Sequence, residues 1–343
     1  NEILEGNSYR FGANNAQAAG PSHLAVIGRA PSINLGAVIR GNVLHNHARL
    51  RVISESSEVA VENVIVEGNT VRDSAVGLEV RNAKGALYRG NTFERCRREV
   101  VDLDRQTEQW RKAVEQEVPR DRALVAWSFD EARGRKIPGD CALPGADMTA
   151  RVFGRVELVD GVRGRALRFD GNTYVEVDSD AARMALNLRN FTIAAWINPD
   201  VVKGRWGIVS KRTGHAGTPF VLATRDAALA YEATDDEGKW TTYNFASPPV
   251  LAAGQWQHVA LVVEEGKRAT LYLNGRPVAT NEIKGQKLDS NDMPLRIGWE
   301  AWGGDPPKPD VPGFFHGAID ELSIWARALT DAEIGKLAST LAP

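Results

Sequence analysis

Four segments in the first hundred residues carry a Gly-Asn pair after a short apolar run. They are ILEGNSYRF from Ile3, VIRGNVLHN from Val38, VIVEGNTVR from Val64 and ALYRGNTFE from Ala86. Aligned on the Asn, the residues Arg10, His45, Arg72 and Glu94 fall at the same place, three positions further on. If the segments stack as coils, these side chains form one column with neighbours about 4.8 Å apart. A basic column suits an acidic sugar, and His45, His47, Arg49 and Arg72 are the set that pairs cations with a proton carrier. The competing reading is a solvated face. Mixed charge is what any soluble solenoid shows, and Glu94 interrupts the column.

A second chemistry lies in the nine tryptophans. Trp206, Trp240, Trp299 and Trp302 are flanked by Gly, Lys or Arg in loop-like or strand-end sequence, and Tyr231 and Tyr243 are weaker candidates of the same kind. A flat indole stacks on the apolar face of a pyranose at little entropic cost. The alternative is that these rings pack beneath their own loops. Trp302 leads because Pro306, Pro307, Pro309 and Pro312 follow it, and a stiff loop presents a ring without an ordering cost on binding. Asp305 and Lys308 could fix the register of sugar hydroxyls. Trp127, Trp196, Trp256 and Trp325 sit in alternating apolar runs and are read as core.

Strands must position these rings. Residues 255–280 read QWQHVALVVEEGKRATLYLNGRPVAT, with Val259, Leu261 and Val263 on one face. A break follows at Glu265-Gly266-Lys267; next comes a run with Leu271 and Leu273 opposite Tyr272, and then an Asn274-Gly275 turn. Residues 166–178 form two short strands about Gly171-Asn172. Residues 191–198 place Phe191, Ile193, Ala195 and Ile197 on one face, and residues 315–325 alternate again. Thr330 to Glu333 is a capping box opening a final helix.

In order and spacing these runs resemble the laminin-G-like jelly roll of the concanavalin A-like superfamily over roughly residues 123–341. The resemblance implies a β-sandwich and a calcium ion held by Asp170 of the Phe-Asp-Gly turn and Asp320 of the last strand, with Asn172 near enough to add an oxygen. Calcium wants six to eight oxygens, so carbonyls and water would complete the shell. The alternative is that Asp170 shapes its own turn. Glucanases of this superfamily carry Glu-x-Asp-x-Glu on one strand, which sets two carboxylates for a retaining mechanism. That signature is missing here, and residues 231–238 (YEATDDEG) read as a turn. The jelly roll is therefore expected to bind without cutting.

Self-similarity with intervals of 27 and 22 residues between Asn42, Asn69 and Asn91 is the mark of a solenoid. With two or three short strands per unit, residues 1–104 resemble the right-handed parallel β-helix, whose inward Asn side chains often stack as a ladder. The fold class expected is all-β: a partial right-handed parallel β-helix (1–104), a helical cap or linker (105–122), and a jelly roll (123–343). Trp110, Val114 and Val118 share one face of the intervening helix, which Pro119 stops. Solenoid coils need polar caps and at least about three repeats, which leads to the expectation of an upstream β-helix segment in the same protein. Many β-helix proteins are polysaccharide lyases or glycoside hydrolases, where a cation neutralises a uronate and a His moves the C5 proton. By that resemblance His45, His47, Arg49 and Arg72 are the catalytic candidates.

The 343 residues carry a net charge of −2 from well-mixed charges, so no long-range field favours nucleic acid. No apolar run of about 18 residues predicts membrane insertion. Cys96 and Cys141 stand alone, outside any zinc-like spacing, and their pairing is open from sequence. The leading expectation is a carbohydrate-binding jelly roll joined to the end of a β-helix, in a secreted, periplasmic or cell-surface bacterial protein whose partner is a polysaccharide. The rivals are an adhesion or scaffold protein gripping a protein partner, and a lyase or hydrolase with its site on the coils.

Overall fold

The computed structural model describes residues 24–28, 37–45, 49–54, 61–212, 217–236, 238–300 and 313–340. His47 and Trp302 lie outside them, as do Asp305 and Lys308. The chain divides into two units, residues 1–108 and 109–343.

In the first unit the apolar runs form stacked parallel strands. Leu24–Gly28, Leu50–Ser54, Val76–Arg81 and Arg98–Asp102 make one sheet. Val38–Arg40, Ile65–Glu67 and Leu87–Arg89 make a second, and Val43–Leu44, Thr70–Arg72 and Thr92–Glu94 a third. Val26, Ile39, Val52, Val66, Val71 and Leu78 fill the interior. Each of the three Gly-Asn pairs among the described residues is a corner between two strands. Gly41, Gly68 and Gly90 take φ of +68, +62 and +60, a left-handed bend that glycine enters without steric cost.

The Asn after each of these bends bonds to a neighbouring coil. Asn42 donates its backbone N–H and its amide to Asn69 Oδ1 (3.0 and 2.9 Å), and Asn69 does the same to Asn91 Oδ1 (3.1 and 2.9 Å). Asn69 is fully buried and also donates to the carbonyls of Ile39 and Glu67. The ladder follows from the repeat: a buried amide is tolerated only when its donors and acceptors are all met, and an identical amide one coil away meets them.

Leu103–Glu117 is a helix. In the second unit Val114 enters the apolar core, with Trp110 and Val118 packed against it, so this face serves the sandwich. Two antiparallel sheets follow among the described residues. The nine-stranded one runs Asp140–Cys141, Val125–Trp127, His316–Trp325, Asn190–Pro199, Gln257–Glu264, Arg268–Leu273, Arg276–Glu282, with Arg165–Asp170 also paired to His316–Trp325 and Leu158–Asp160 paired to Arg165–Asp170. The eight-stranded one runs Lys136–Ile137, Ala150–Phe153, Tyr174–Val177, Leu295–Ile297, Arg205–Lys211, Phe220–Arg225, Ala228–Glu232, Phe245–Ala246. Phe191, Ile193, Ala195 and Ile197 face Leu222, Leu229, Leu295 and Ile297 across one core, as period-two alternation requires.

The two strands about Gly171-Asn172 do not pair with each other. Arg165–Asp170 belongs to one sheet and Tyr174–Val177 to the other, so the turn crosses between layers. Asn274-Gly275 makes the tight turn read from sequence, at φ of +48 and +79. The final helix is Asp331–Thr340, and its capping box forms: Glu333 N–H donates to Thr330 Oγ1 (3.3 Å) and Thr330 N–H to Glu333 Oε2 (2.8 Å).

Candidate functional site

The basic column on the coils is self-neutralised. Arg72 makes a two-pronged pair with Glu94 of the next coil (2.7 and 3.0 Å), and this holds the Glu94 carboxyl below the usual range. Arg49 pairs with Glu79 at 3.2 Å, and Arg40 and Arg89 both bond Glu67. His45 is exposed and directly follows Leu44, the register partner of Val71. Of the expected cationic set, Arg49 and Arg72 are thus each paired with a carboxylate of a neighbouring coil, because the parallel register brings acidic residues of one coil beside arginines of the next.

Two of the expected ring platforms are also corrected. Trp299 is 2% exposed, stacked on Phe314 (4.4 Å between centroids, 11° between planes) and touching Tyr174 at 4.8 Å. Its face is taken by neighbouring rings. Tyr243 is wholly buried, its ring edge-on to Tyr231 and its hydroxyl donated to Gln286 O at 2.5 Å. The core assignments hold for Trp127 and Trp196, whereas Trp256 and Trp325 are only half-buried.

The calcium ligands do not assemble. Strand register sets Asp170 opposite His316, four residues from Asp320 along the same strand, a separation of roughly 13 Å. Asp170 Oδ1 accepts the N–H of Asn172 (3.0 Å) and Thr173 (2.9 Å), shaping its own turn. Asp320 is fully buried and accepts the N–H groups of Val162 (2.8 Å), Arg163 (3.2 Å) and Glu321 (2.8 Å). Burial pushes its carboxyl up to about 6 in spite of them. These residues do not fit one cation. Among the described residues no cluster of three His, Cys, Asp or Glu offers another such site, and Cys96 and Cys141 are thiols.

Trp206 and Trp240 remain half-exposed, and each is held by its surroundings. Trp240 lies under the Arg212 guanidinium, 4.8 Å from the ring centre. Trp206, near the start of the Arg205–Lys211 strand, donates Nε1–H to Lys203 O (3.0 Å) and meets His316 edge-on at 4.9 Å and 73°. Gly204 (φ +99) closes against this indole. A Cβ there would stand 2.7 Å from Trp206 Cζ2, so only glycine lets the ring lie flat on its own loop. The loop is tied down in turn: Asp226 N–H donates to Gly204 O (2.8 Å) and Gly204 N–H to Asp226 Oδ1 (2.9 Å). Asp226 and Ala227 both take positive φ, +46 and +65, a strained turn of the kind that collects at ligand-holding sites.

Beside this rim, the outer side of the eight-stranded sheet carries an ionic group that sequence reading did not find. Arg205 bonds Glu300 (2.5 and 2.7 Å) and Glu232 (2.7 Å), Arg212 reaches Glu232 at 3.0 Å, and Arg225 pairs with Glu232 as well. Burial pushes the Glu232 carboxyl up, but the three arginines outweigh it and hold it below the ordinary range. Arg212, itself buried, is pushed down by desolvation. The sequence signal was thin, since Glu232 sits in the stretch read as a turn and its partners lie 7 to 27 positions away.

The second unit is a concanavalin A-like jelly roll. Residues 169–335 match the family model of the concanavalin A-like lectin/glucanases superfamily. The chain is similar to the mosquitocidal protein 1 of Paraclostridium bifermentans, at 22% identity over 212 residues, covering 57% of this chain and 16% of that protein. Among solved structures, the binding domain of that protein superposes with a TM-score of 0.49 at 19% identity, over 64% of this chain and 52% of the other. A botulinum neurotoxin type C structure, described as depending for cell entry on interaction with two ganglioside molecules, gives 0.50 at 15% identity over 65% and 52%. Domain 4 of an extracellular arabinanase from Geobacillus stearothermophilus, in complex with arabinotriose, gives 0.45 at 16% identity over 64% and 98%. The likeness at 0.50 shows the fold alone. No helix among the described residues is long and apolar enough to cross a membrane.

Proposed function

We propose that the jelly roll is a carbohydrate-binding module of an extracellular protein, and that Trp206 is its stacking platform. The observation that carries this is the preorganisation of Trp206: a half-exposed indole fixed by Lys203 O, His316 and Gly204 on a loop clamped to the strained Asp226–Ala227 turn. A ring already held in place binds without the side-chain ordering cost that makes weak sugar sites weaker. Arg168, on the strand neighbouring His316, pairs with Asp200 (2.9 and 2.5 Å), and Asn172 is exposed in the turn that follows that strand, so donors and acceptors for hydroxyls are at hand. Lectins and glucanases of the superfamily supply the ligand class, and the absence of a Glu-x-Asp-x-Glu strand leaves binding as the reading.

The test is a glycan array with the whole chain, followed by titration calorimetry of wild type and Trp206→Ala on the best glycan. A loss of tenfold or more in affinity, about 1.4 kcal/mol, with an unchanged circular dichroism spectrum is expected. No glycan signal from the wild type, or equal affinity in the variant, overturns the proposal.

A further inference from the structure

The outermost strands of the eight-stranded sheet set like charges face to face. Lys136 of the edge strand stands in direct register with Arg151 of Ala150–Phe153, and Arg151 in turn with Glu176 of Tyr174–Val177. Opposed residues of an antiparallel pair share a face, so the two cations lie side by side on strands about 5 Å apart. Like charges so placed are destabilising. A carboxylate between them would be the usual relief, and the fold does not supply it. Glu176 is bound to Arg296 of the next strand (2.9 and 3.0 Å). The Asp147 carboxyl is held below the usual range mainly by the Thr149 N–H (2.8 Å), and Lys136 is only a lesser influence on it. Among the described residues neither Lys136 nor Arg151 makes an ion pair.

These cations are exposed and held in place. The Arg151 guanidinium lies over the Phe153 ring, 5.1 Å from its centre, and Phe153 is stacked on Tyr174 (4.8 Å between centroids, 6° between planes). Arg135, the residue before Lys136, donates Nη1 to Gly154 O at 2.6 Å, which fixes a third exposed cation at the same pair of strands. A lysine on an edge strand discourages pairing with another sheet. That role needs one charge on the outermost strand and gains nothing from an arginine on the strand inside it. Charges that cost the fold stability and have no partner within it belong to a surface kept for something outside.

We infer that the Lys136–Arg151 edge binds the anionic groups of an acidic glycan. One carboxylate or sulfate bridges the two strands, taking two oxygens to the fork of Arg151 and a point charge from Lys136. The inference rests on the carbohydrate-binding reading of the module and narrows its ligand to sugars that carry negative charge. With a net charge of −2 on the chain, the attraction is local to this edge.

The test is titration calorimetry of the whole chain at low salt, where exposed charges are least screened, with polygalacturonate, heparin and neutral dextran in turn. At least one of the two anionic polymers should bind about tenfold or more tighter than dextran. Polygalacturonate alone assigns a carboxylate, heparin alone a sulfate, and both together either group. Lys136→Gln/Arg151→Gln should weaken that binding about fivefold or more and, with the repulsion gone, melt higher than the wild type. Lys267→Gln/Arg276→Gln removes the same charge from exposed positions at the hairpin ends of the other sheet and should bind as the wild type does. Equal weakening in the two double variants, or a lower melting temperature in the first, overturns the inference. If the wild type binds a neutral glycan through Trp206 and neither anionic polymer, the charged edge falls and the module's function stands. Silence toward every glycan overturns both.

Discussion

Arg205 and Arg225 are direct register partners in adjacent antiparallel strands, and both guanidiniums turn to the single carboxylate of Glu232. Like charges directly opposite in a sheet are destabilising. Glu232, 7% exposed with Arg212 as its third partner, converts that repulsion into a network. Replacing it with an isosteric amide removes the charge that Arg205, Arg212 and Arg225 share. Glu232→Gln is expected to destabilise the C-terminal unit by about 3 kcal/mol, as breaking a buried pair does. All nine tryptophans lie in residues 109–343, so urea unfolding followed by tryptophan fluorescence reports this unit alone. The double variant Glu232→Gln/Arg225→Ala should recover part of the loss, since one uncompensated charge is gone. Additive losses in the cycle would show that the network is not a unit.

The coil unit has its own measurable weak point. Asn69 Oδ1 accepts two bonds from Asn42, and Asn69 Nδ2 donates to Ile39 O, Glu67 O and Asn91 Oδ1, the Ile39 bond buried and the others part-buried. Asn69→Ala orphans several of these partners, each costing roughly 1–3 kcal/mol if it stays dry. Hydrogen exchange of the Asn42 and Thr70 amides should accelerate by two orders of magnitude or more. The tryptophan transition should not move. Unaltered exchange at Asn42 would mean that the ladder carries no stability.

What could be read in advance divides along the line between local and non-local determinants. The Gly-Asn corner is local, since glycine bends the chain left-handed, so its recurrence at a coil-sized period marked the coils, while the Asn ladder came with the resemblance to the parallel β-helix. The strands around Ile193, Leu261 and Leu271 were legible for the same reason, since alternation is a property of one segment. Trp299 and Trp206 looked alike in sequence, each beside glycine at a strand end. Their fates were decided by Phe314 and Tyr174 in one case and by Gly204 and His316 in the other, contacts set by sheet order. The Asp226–Ala227 turn carries neither Asn-Gly nor Asp-Gly, so nothing local marked the hairpin that brings Arg225 and Glu232 together. Asp170 and Asp320 were joined by resemblance, and only the strand register showed them four residues apart.

Acid should expose a pair of opposed titrations on the outer side of the nine-stranded sheet. Trp196 is flanked in register by His258 and Asp320. Burial lowers His258 from 6.5 to about 4. Between those values the unfolded chain holds the extra proton, so stability falls as pH drops from about 6.5 to 4, by up to about 3 kcal/mol. Asp320, raised from 3.8 to about 6, has the opposite sign: the folded chain takes its proton first, and acidification through that window stabilises. The two partly cancel in the wild type. His258→Gln removes the first and leaves the second, so the variant should gain on the wild type by about 3 kcal/mol between pH 7 and pH 4, measured by urea unfolding at several pH values. A difference that does not change with pH would show that His258 titrates normally.

The Trp206 platform depends on a glycine, and that dependence can be separated from backbone strain. Gly204 and Gly254 both take positive φ, +99 and +72, so an alanine at either position costs a comparable conformational penalty, on the order of 1–2 kcal/mol. They differ in what the new methyl meets. At Gly254 nothing lies within 4 Å, whereas at Gly204 the Cβ would stand 2.7 Å from Trp206 Cζ2 and 3.1 Å from Cε2. A contact under 3 Å cannot persist, and the backbone on the other side is held to Asp226 by two hydrogen bonds, so the indole is the part that moves. Gly204→Ala is therefore expected to weaken glycan binding about tenfold and to shift the Trp206 indole N–H resonance as its bond to Lys203 O is disturbed. Gly254→Ala should lose similar stability and keep wild-type affinity. Equal affinities in the two variants would place the ligand somewhere other than on Trp206, however well the ring is held.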